Sequence, residues 1–141
     1  MRLFLDANIL FSAAWKHGAD AALLFDLAES LDCPLCTSRL ALEEARRNIT
    51  RKRPERGPEL EHLAGRVSIG REPSASHLAD ANKHGLPDKD IPILAAAIAQ
   101  RADLLVTGDR RDFGHLYGTH PGGVAVIGLG RALERLLAAL D

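Results

Sequence analysis

The sequence has few aromatic residues, little sulfur and almost no net charge. Phe, Trp and Tyr make up 4% of its 141 residues, and it contains two cysteines and one methionine. A formal net charge of −1 argues against a protein that binds nucleic acid through its overall field, although positive charge can still be concentrated locally. The composition, with about a quarter of charged residues, is that of an ordinary globular protein.

Long apolar runs are also absent. No run approaches the ~20 apolar residues that span a bilayer, and only Arg2 precedes the first apolar stretch, unlike a signal peptide. We therefore expect a cytoplasmic protein with no membrane partner. Cys33 and Cys36 have the spacing of half a zinc or redox motif, but no second ligand pair lies at a suitable distance. We expect them to be a buried structural pair.

Short apolar runs alternate with longer amphipathic segments along the chain. We predict strands at residues 2–5, 34–37, 66–69, 104–106 and 124–127. We predict helices around 9–13, at 19–31, 38–53, 60–65 and 74–84, from 90 onwards, and at 131–140. In the helix at 19–31 the predicted buried stripe is Ala22, Leu23, Leu27 and Leu31, and Leu40 is predicted to pack inward in the next helix. The alternation predicts an α/β fold, one domain over residues 1–141, with a mostly parallel sheet covered on both faces.

Three aspartates are expected at one edge of this sheet. Asp6 and Asp109 each follow an apolar strand and precede a helix, and the carboxyl ends of parallel strands form the usual ligand-binding edge. Asp90 begins the helix that leads into the strand ending at Asp109, where the helix dipole favours an anion. Each residue alone is equally typical of a turn or a helix cap.

A fourth acid, Glu44, lies part-way along the helix that begins at Ser38. Its neighbour Glu43 is locally indistinguishable from it, and either could pair with an arginine one turn away. Carboxylates that converge in one cleft repel each other unless a cation neutralises them, and a hard cation such as Mg²⁺ prefers oxygen ligands. The acids together therefore suggest a divalent-metal site.

The same helix continues into a strongly basic run. Residues 46–56 read RRNITRKRPER, in which six cationic side chains are opposed only by Glu55. A solvated helix face is the common meaning of such a run. Contact with the phosphates of a nucleic acid is the alternative, since phosphate contacts position a substrate without reading its sequence.

Four blocks of the sequence resemble the PIN-domain nucleases. In chain order they are residues 3–10 (LFLDANIL), 38–47 (SRLALEEARR), 88–97 (DKDIPILAAA) and 104–109 (LLVTGD). No single block is specific, but their order and spacing fit over nearly the whole chain. The resemblance implies a three-layer α/β/α sandwich with a parallel sheet of about five strands. It also implies an acidic pocket that binds Mg²⁺ or Mn²⁺ and cleaves RNA by metal-assisted hydrolysis.

Residue by residue, the resemblance identifies Asp6, Glu44, Asp90 and Asp109 as the catalytic acids. Asp6, Asp90, Asp109 and the auxiliary Asp112 would hold the metal, and Asn8 and Thr107 would keep the acids in place. Asp88 competes with Asp90, as Glu43 does with Glu44. RNA contacts are assigned to the basic run, at Arg46, Arg47, Arg51, Lys52 and Arg53. Small proteins that resemble this one are often toxins that bind an antitoxin and form homodimers.

Two other functions stay open at this point. An aspartate-based phosphohydrolase or phosphotransfer domain also places an acid after its first strand. However, a phosphatase of that kind usually has a second aspartate where this chain has Asn8, and the acidic pair and downstream lysine of a receiver domain are not evident. The second alternative is a binding module with the nuclease fold and little catalysis, which intact acids oppose but do not exclude.

Overall fold

Strand β1 lies at the centre of a five-stranded parallel sheet. The computed structural model describes residues 1–140. The strands are β1 (Leu3–Leu5), β2 (Leu35–Thr37), β3 (Ser68–Ile69), β4 (Leu104–Val106) and β5 (Ala125–Ile127), in the spatial order β3-β2-β1-β4-β5. Phe4 of β1 is in register with Cys36 on one side and Leu105 on the other. The first strand of the chain is thus paired with a strand that follows about a hundred residues later.

Eight α-helices surround this sheet. They are α1 (Ala7–Trp15), α2 (Asp20–Ser30), α3 (Arg39–Lys52), α4 (Gly57–Ala64), α5 (Ala75–Ala81), α6 (Ile91–Ala99), α7 (Arg110–Phe113) and α8 (Leu129–Ala138). Helices α1 to α4 pack on one another and α8 packs on α2, whereas α5 packs on α6. Right-handed crossovers place these two groups on opposite faces of the sheet. The predicted three-layer α/β/α architecture is confirmed.

Strands β1, β4 and β5 are apolar throughout because helices cover both faces of the sheet. All three residues of β1 and all three of β4 are buried, and Phe4 and Leu105 are fully inaccessible to solvent. Strand β3 is the exception, since it forms an edge of the sheet and its two residues are exposed. No helix within residues 1–140 is both long enough and apolar enough to cross a membrane.

Of the buried stripe predicted for residues 19–31, only Leu27 is buried, and the rest of the prediction was wrong. In α2 the fully buried residues include Leu24, Phe25 and Ala28, whereas Leu23 is 43% exposed. This helix carries apolar residues on most of its circumference, so its contacts with α1 and α8 decide which of them face the core.

Leu40 is also exposed rather than packed inward. It is the second residue of α3, whose inner face is formed by Ala41, Leu42, Ala45 and Ile49. Because each helical residue turns the chain by roughly 100°, Leu40 points away from the middle of that face.

Only one of the two cysteines lies in the core. Both thiols are free, and Cys36 is buried in β2 while Cys33 is half-buried in the loop before it. Burial raises the pKa of the Cys36 thiol to about 11, although the charge of Arg2 opposes this shift. The Cys36 thiol is therefore neutral at physiological pH and packs as a small apolar group.

Candidate active site

Asp6 lies where β1 ends and α1 begins, and it caps that helix. The backbone N–H of Ala7 donates to Asp6 Oδ1 (2.7 Å), so one carboxylate oxygen satisfies a free amide of the first turn. The other oxygen, Oδ2, accepts hydrogen bonds from Thr107 Oγ1 (2.9 Å) and Asn8 Nδ2 (3.2 Å). Asp6 is only 4% exposed. Both of its oxygens are therefore fixed in direction by donors.

Thr107 joins the ends of the two central strands. Its hydroxyl donates to Asp6 and accepts from Asn8 Nδ2 (3.3 Å) and from the backbone N–H of Asp109 (3.1 Å). Asn8 Oδ1 in turn accepts from the N–H of Gly108 (2.7 Å). These bonds hold the loop after β4 against the start of α1. Asn8 and Thr107 therefore both contact Asp6, the position expected of residues that keep the acids in place.

Three other carboxylates form a compact group beside this network. One carboxylate oxygen from each of Asp90, Asp109 and Asp112 lies within 4.8 Å of the others. Asp90 precedes α6, and Asp109 caps the short helix α7 by accepting from the N–H of Asp112 (3.1 Å). Within residues 1–140, neither Asp6 nor Glu44 belongs to this group. We refer to Asp90, Asp109 and Asp112 as the acid cluster.

One oxygen of the acid cluster is buried without a hydrogen-bond partner. Asp90 is 8% exposed, and its Oδ2 makes no hydrogen bond within the described residues. The nearest cation is the ammonium group of Lys89, which lies 3.8 Å from this oxygen and 3.1 Å from Asp112 Oδ2. An unpaired buried carboxylate oxygen is unfavourable unless a cation or proton occupies the space beside it. The geometry of the acid cluster therefore fits a hard divalent cation.

Burial and crowding perturb the acids of the site. Burial raises the pKa of Asp6, against the opposing effects of Thr107 and Ala7, and the charge of Glu44 adds to the increase. Burial also raises the pKa of Asp90 to about 7, and the neighbouring carboxylate of Asp112 contributes. The pKa of Asp112 is held below its usual value by the neighbouring carboxyl group of Asp90 and by Lys89. Asp90 and Asp112 thus behave as a pair in which the buried member keeps the proton.

The structure separates the paired alternatives left open by the sequence. Glu44 is half-buried and close enough for its charge to act on Asp6, whereas Glu43 is exposed and acts on Arg46. Asp90 lies in the acid cluster, whereas Asp88 is exposed and lies outside it. The geometry therefore favours Glu44 and Asp90 as candidate site residues.

Several cationic side chains of the basic run already have partners within the protein. Arg46 forms a two-pronged ion pair with Glu61 (2.8 and 3.0 Å). Lys52 lies over the ring of Phe11 at 5.5 Å.

The next residue, Arg53, is also held within the protein. It pairs with Glu55 (2.9 Å) and donates to the carbonyl of Trp15 (2.6 Å). Arg47 and Arg51 are exposed and form no ion pair within residues 1–140. Of the five candidate RNA contacts, these two are the most available.

An open cleft of about 680 Å³ adjoins the network. Its lining includes Thr107, Gly108, Arg110, Tyr117 and Leu129. The Tyr117 hydroxyl donates to the carbonyl of Thr107 (2.8 Å), so it supports the residue that holds Asp6. The cleft therefore runs from Thr107 and Gly108 towards the start of α8.

Sequence reasoning missed two residues of this site. Lys89 could have been noticed, because it stands between Asp88 and Asp90 and any acid cluster there needs a counter-charge. Tyr117 gave no signal, since its contact with Thr107 depends on the path of the chain between α7 and β5.

Several solved structures share the fold of this chain. The structure of VapBC2 from Rickettsia felis, bound to a DNA fragment from its promoter, matches with a TM-score of 0.67 and 19% identity, over 91% of this chain and 98% of that one. VapBC-1 from nontypeable Haemophilus influenzae gives 0.61 and 16%, over 92% and 99%. FitAcB from Neisseria gonorrhoeae gives 0.54 and 20%, over 91% and 98%. At these identities the similarity establishes the fold.

Sequence comparison identifies the family. No curated protein matches the chain. A family model described as the PIN domain matches residues 2–111, a segment that contains β1 to β4, Asp6, Glu44 and most of the acid cluster. The chain therefore belongs to the PIN-domain family.

Proposed function

We propose that this protein is a Mg²⁺- or Mn²⁺-dependent endoribonuclease, a hydrolase that cuts RNA phosphodiesters. The observation that carries the proposal is the acid cluster with its unpartnered, buried Asp90 Oδ2. Membership of the PIN-domain family and the acidic edge of the sheet support it.

Each acid has a distinct role in this proposal. Asp90, Asp109 and Asp112 hold the metal, and Asp90 offers the oxygen that has no other partner. Asp6 contributes negative charge at the end of β1 and binds the metal through a water molecule, because three donors already fix its two oxygens. A divalent ion at this site supplies charge neutralisation for the phosphodiester and makes a bound water more acidic. Asp6, Asp90 and Asp109 thereby act as catalytic acids of the site.

Glu44 and the basic run complete the proposed site. Glu44 orients the attacking water from the α3 side, since it lies near Asp6 and outside the acid cluster. Arg47 and Arg51 follow it on α3 at one-turn spacings and contact RNA phosphates directly. The other three candidates contact partners within the protein, so they fix the shape of the RNA-binding surface and add positive charge to it. They are Arg46, Lys52 and Arg53.

Cleavage of labelled single-stranded RNA tests the proposal. The wild-type protein should cut with Mn²⁺ or Mg²⁺ and not with EDTA. Asp6→Asn should lower the rate by roughly 10- to 100-fold, the range for losing an outer metal partner, and Asp90→Asn, which removes a direct ligand, should lower it by at least as much. Asp88→Asn is the matched control, because it makes the same change two residues away on an exposed side chain, and it should keep wild-type activity.

Equal cutting by the wild type and both site variants would contradict the proposal and indicate a contaminant. No cutting by any of them, with normal metal binding, would favour the binding-module alternative. Incorporation of phosphate into Asp6 from an acyl phosphate donor would favour a phosphotransfer function instead.

We further infer that the protein acts as the toxin of a toxin-antitoxin pair, with an antitoxin protein and a second copy of itself as partners. The similarity in fold to VapBC and FitAcB structures supports this inference. The cleft of about 680 Å³ beside Thr107, the residue that holds Asp6, offers room for a partner segment.

Expression in a bacterial host tests the toxin role. The wild type should arrest growth, Asp90→Asn should not, and Asp88→Asn should behave like the wild type. Co-expression of a short DNA-binding protein encoded beside this gene should restore growth and co-purify with the chain. Light scattering of the purified protein should give the mass of a dimer; a monomer would contradict the homodimer.

A further inference from the structure

A second cavity lies at the far end of α6 from the acid cluster. Helix α6 begins after Asp90 and ends just before Gln100, so the two ends are roughly 14 Å apart along its nine residues. The cavity has a volume of about 360 Å³ and lies between the start of β1, the edge strand β3 and the loop after α6. We call it the arginine cavity, because Arg2, Arg71 and Arg101 line it.

The arginine cavity is strongly positive. None of the described residues that line it is acidic. One guanidinium nitrogen of Arg2 donates to the backbone carbonyl of Gln100 (2.6 Å), which fixes that side chain at the cavity wall. Arg71 and Arg101 are exposed and form no ion pair within residues 1–140. Three arginines thus line this cavity and form no ion pair within residues 1–140, although the backbone N–H of Arg2 donates to Asp103 Oδ2 (2.7 Å) beside it.

A buried acceptor lines the same cavity. Gln100 is 6% exposed, and its Nε2 donates to the carbonyl of Thr37 (3.0 Å). Its Oε1 is buried and has no hydrogen-bond partner within the described residues. Burying a side-chain oxygen without a hydrogen-bond donor lowers the stability of the folded protein.

Gly70 makes this position of Gln100 possible. A Cβ at residue 70 would lie 2.5 Å from Gln100 Cδ, so any larger residue would displace the amide. The amide is therefore packed closely against the backbone after β3, with one hydrogen-bonding group unused.

We propose that the arginine cavity binds a phosphate ester of nucleotide size. Planar guanidinium groups match phosphate oxygens with paired hydrogen bonds, so the arginines take the phosphate. A hydroxyl or amino group of the same ligand donates to Gln100 Oε1, which a bare inorganic anion without such a group satisfies poorly. The volume lies in the lower part of the range for small-molecule sites, roughly 300–1,000 Å³. Either a free nucleotide or the phosphorylated end of an RNA strand presents this chemistry.

Calorimetric titration in EDTA tests the proposal, because the divalent-metal site then plays no part. The probes are adenosine 5′-monophosphate, inorganic phosphate, and an RNA trinucleotide with and without a 5′-phosphate. We expect saturable binding of the monophosphate with one site per chain, tighter than inorganic phosphate. Arg71→Gln and Arg101→Gln should each weaken it by roughly tenfold, as expected when a charge-assisted hydrogen bond is lost.

Arg135→Gln is the matched control, because Arg135 is an exposed arginine of α8, which packs against α2. It should bind like the wild type. In an NMR titration, the side-chain amide signal of Gln100 should move on binding, which places the ligand at this cavity.

The outcomes are distinct. Tighter binding of the monophosphate than of either trinucleotide supports a free nucleotide as the ligand, and preference for the 5′-phosphorylated trinucleotide supports a strand end. Unchanged affinity in Arg71→Gln and Arg101→Gln would overturn the proposal, and so would equal affinity for inorganic phosphate. None of these results depends on whether the protein cuts RNA, so the two proposals can fail separately.

Discussion

At the scale of single residues, burial and charge conflict most directly at Asp90. Its carboxyl group is needed as an anion to bind a cation, yet its surroundings raise its pKa to about 7. The metal-free folded protein therefore holds a proton there at pH values where the unfolded chain, with a pKa near ~3.9, has released it.

This difference predicts how the stability of the metal-free protein depends on pH. Between about pH 4 and 7 the folded state binds more protons than the unfolded state, so the free energy of unfolding falls as the pH rises through that range. The raised pKa of Asp6 acts in the same direction. Melting temperatures measured in EDTA should therefore decrease from acid to neutral pH. The decrease should be smaller in Asp90→Asn, and an equal decrease in that variant would contradict the assignment.

Lys89 supplies the counter-charge of the acid cluster when no metal is bound. Its ammonium group lies 3.1 Å from Asp112, and the side chain is mostly exposed, so the pair is an ordinary surface ion pair in strength. Lys89→Met should lower the melting temperature in EDTA. It should also tighten Mn²⁺ binding by roughly two- to fivefold, because a competing cation is removed.

Calorimetry with Mn²⁺ would measure this change in affinity. Lys83→Met is the control, since Lys83 is exposed beyond α5 and forms no ion pair within residues 1–140. Weaker Mn²⁺ binding in Lys89→Met would mean that Lys89 supports the metal instead of competing with it.

The sequence predicted which acids lie at the same edge of the sheet but not which of them form the acid cluster. Strand ends and a helix start are visible in the sequence, so Asp6, Asp90 and Asp109 could be placed at one edge. The resemblance already assigned Asp112 to the metal and Asn8 and Thr107 to holding the acids. That Asp6 lies outside the acid cluster depends on side-chain directions in the loops after β1 and β4. Nothing in the local sequence encodes those directions.

At the scale of secondary-structure elements, the start of α3 shows how the sequence sets a boundary. Ser38 is buried between β2 and α3, and its hydroxyl accepts from the N–H of Ala41 (3.1 Å). The sequence predicted that the helix carrying Glu44 begins at Ser38, and this cap fixes that boundary.

Removal of this cap should destabilise the protein. Ser38→Ala should lower the free energy of unfolding by about 1 kcal/mol, the typical cost of losing an N-cap hydroxyl. Urea denaturation would measure it. Ser12→Ala, at an exposed position inside α1, is the control and should cost little. Equal stability of the two variants would show that the cap is dispensable.

Elements were predicted well where a clear start or stop residue bounds them and less well where composition is uniform. The strand at 104–106 was predicted with its observed bounds, and Gly85 ends the α5 region in the left-handed conformation (φ 70°) expected of a terminating glycine. In α2, by contrast, apolar residues surround the helix, so its buried face followed from its neighbours α1 and α8. Strand β3 is shorter than predicted, at Ser68–Ile69 instead of 66–69, and both of its residues are exposed.

At the scale of the whole molecule, a bound cation should stabilise the fold, because it links β4, α6 and α7. An ion that binds only the folded state adds free energy that grows with the logarithm of its concentration, about 2.7 kcal/mol at 100 times its dissociation constant. Saturating Mn²⁺ should therefore raise the melting temperature by several degrees. Asp109→Asn should lose most of this increase, whereas Asp88→Asn should keep it. An increase of equal size in both would place the ion elsewhere.

The architecture as a whole was the most predictable feature, because it follows from the alternation of short apolar and longer amphipathic segments. Right-handed crossovers then leave few ways to arrange five parallel strands. The arginine cavity could not be foreseen. It arises where the edge strand β3, the start of β1 and the end of α6 meet, and these segments are far apart in the chain.

The central position of β1 has a consequence for the time at which activity can arise during synthesis. Asp6 is made first, but the strand that pairs with it on one side and the hydroxyl that holds its carboxylate belong to residues 104–107. The acid cluster also needs Asp109 and Asp112. A ribosome that has released only the first two-thirds of the chain therefore carries a polypeptide with no assembled site. The proposed nuclease is unable to attack its own message until translation of the domain is nearly finished.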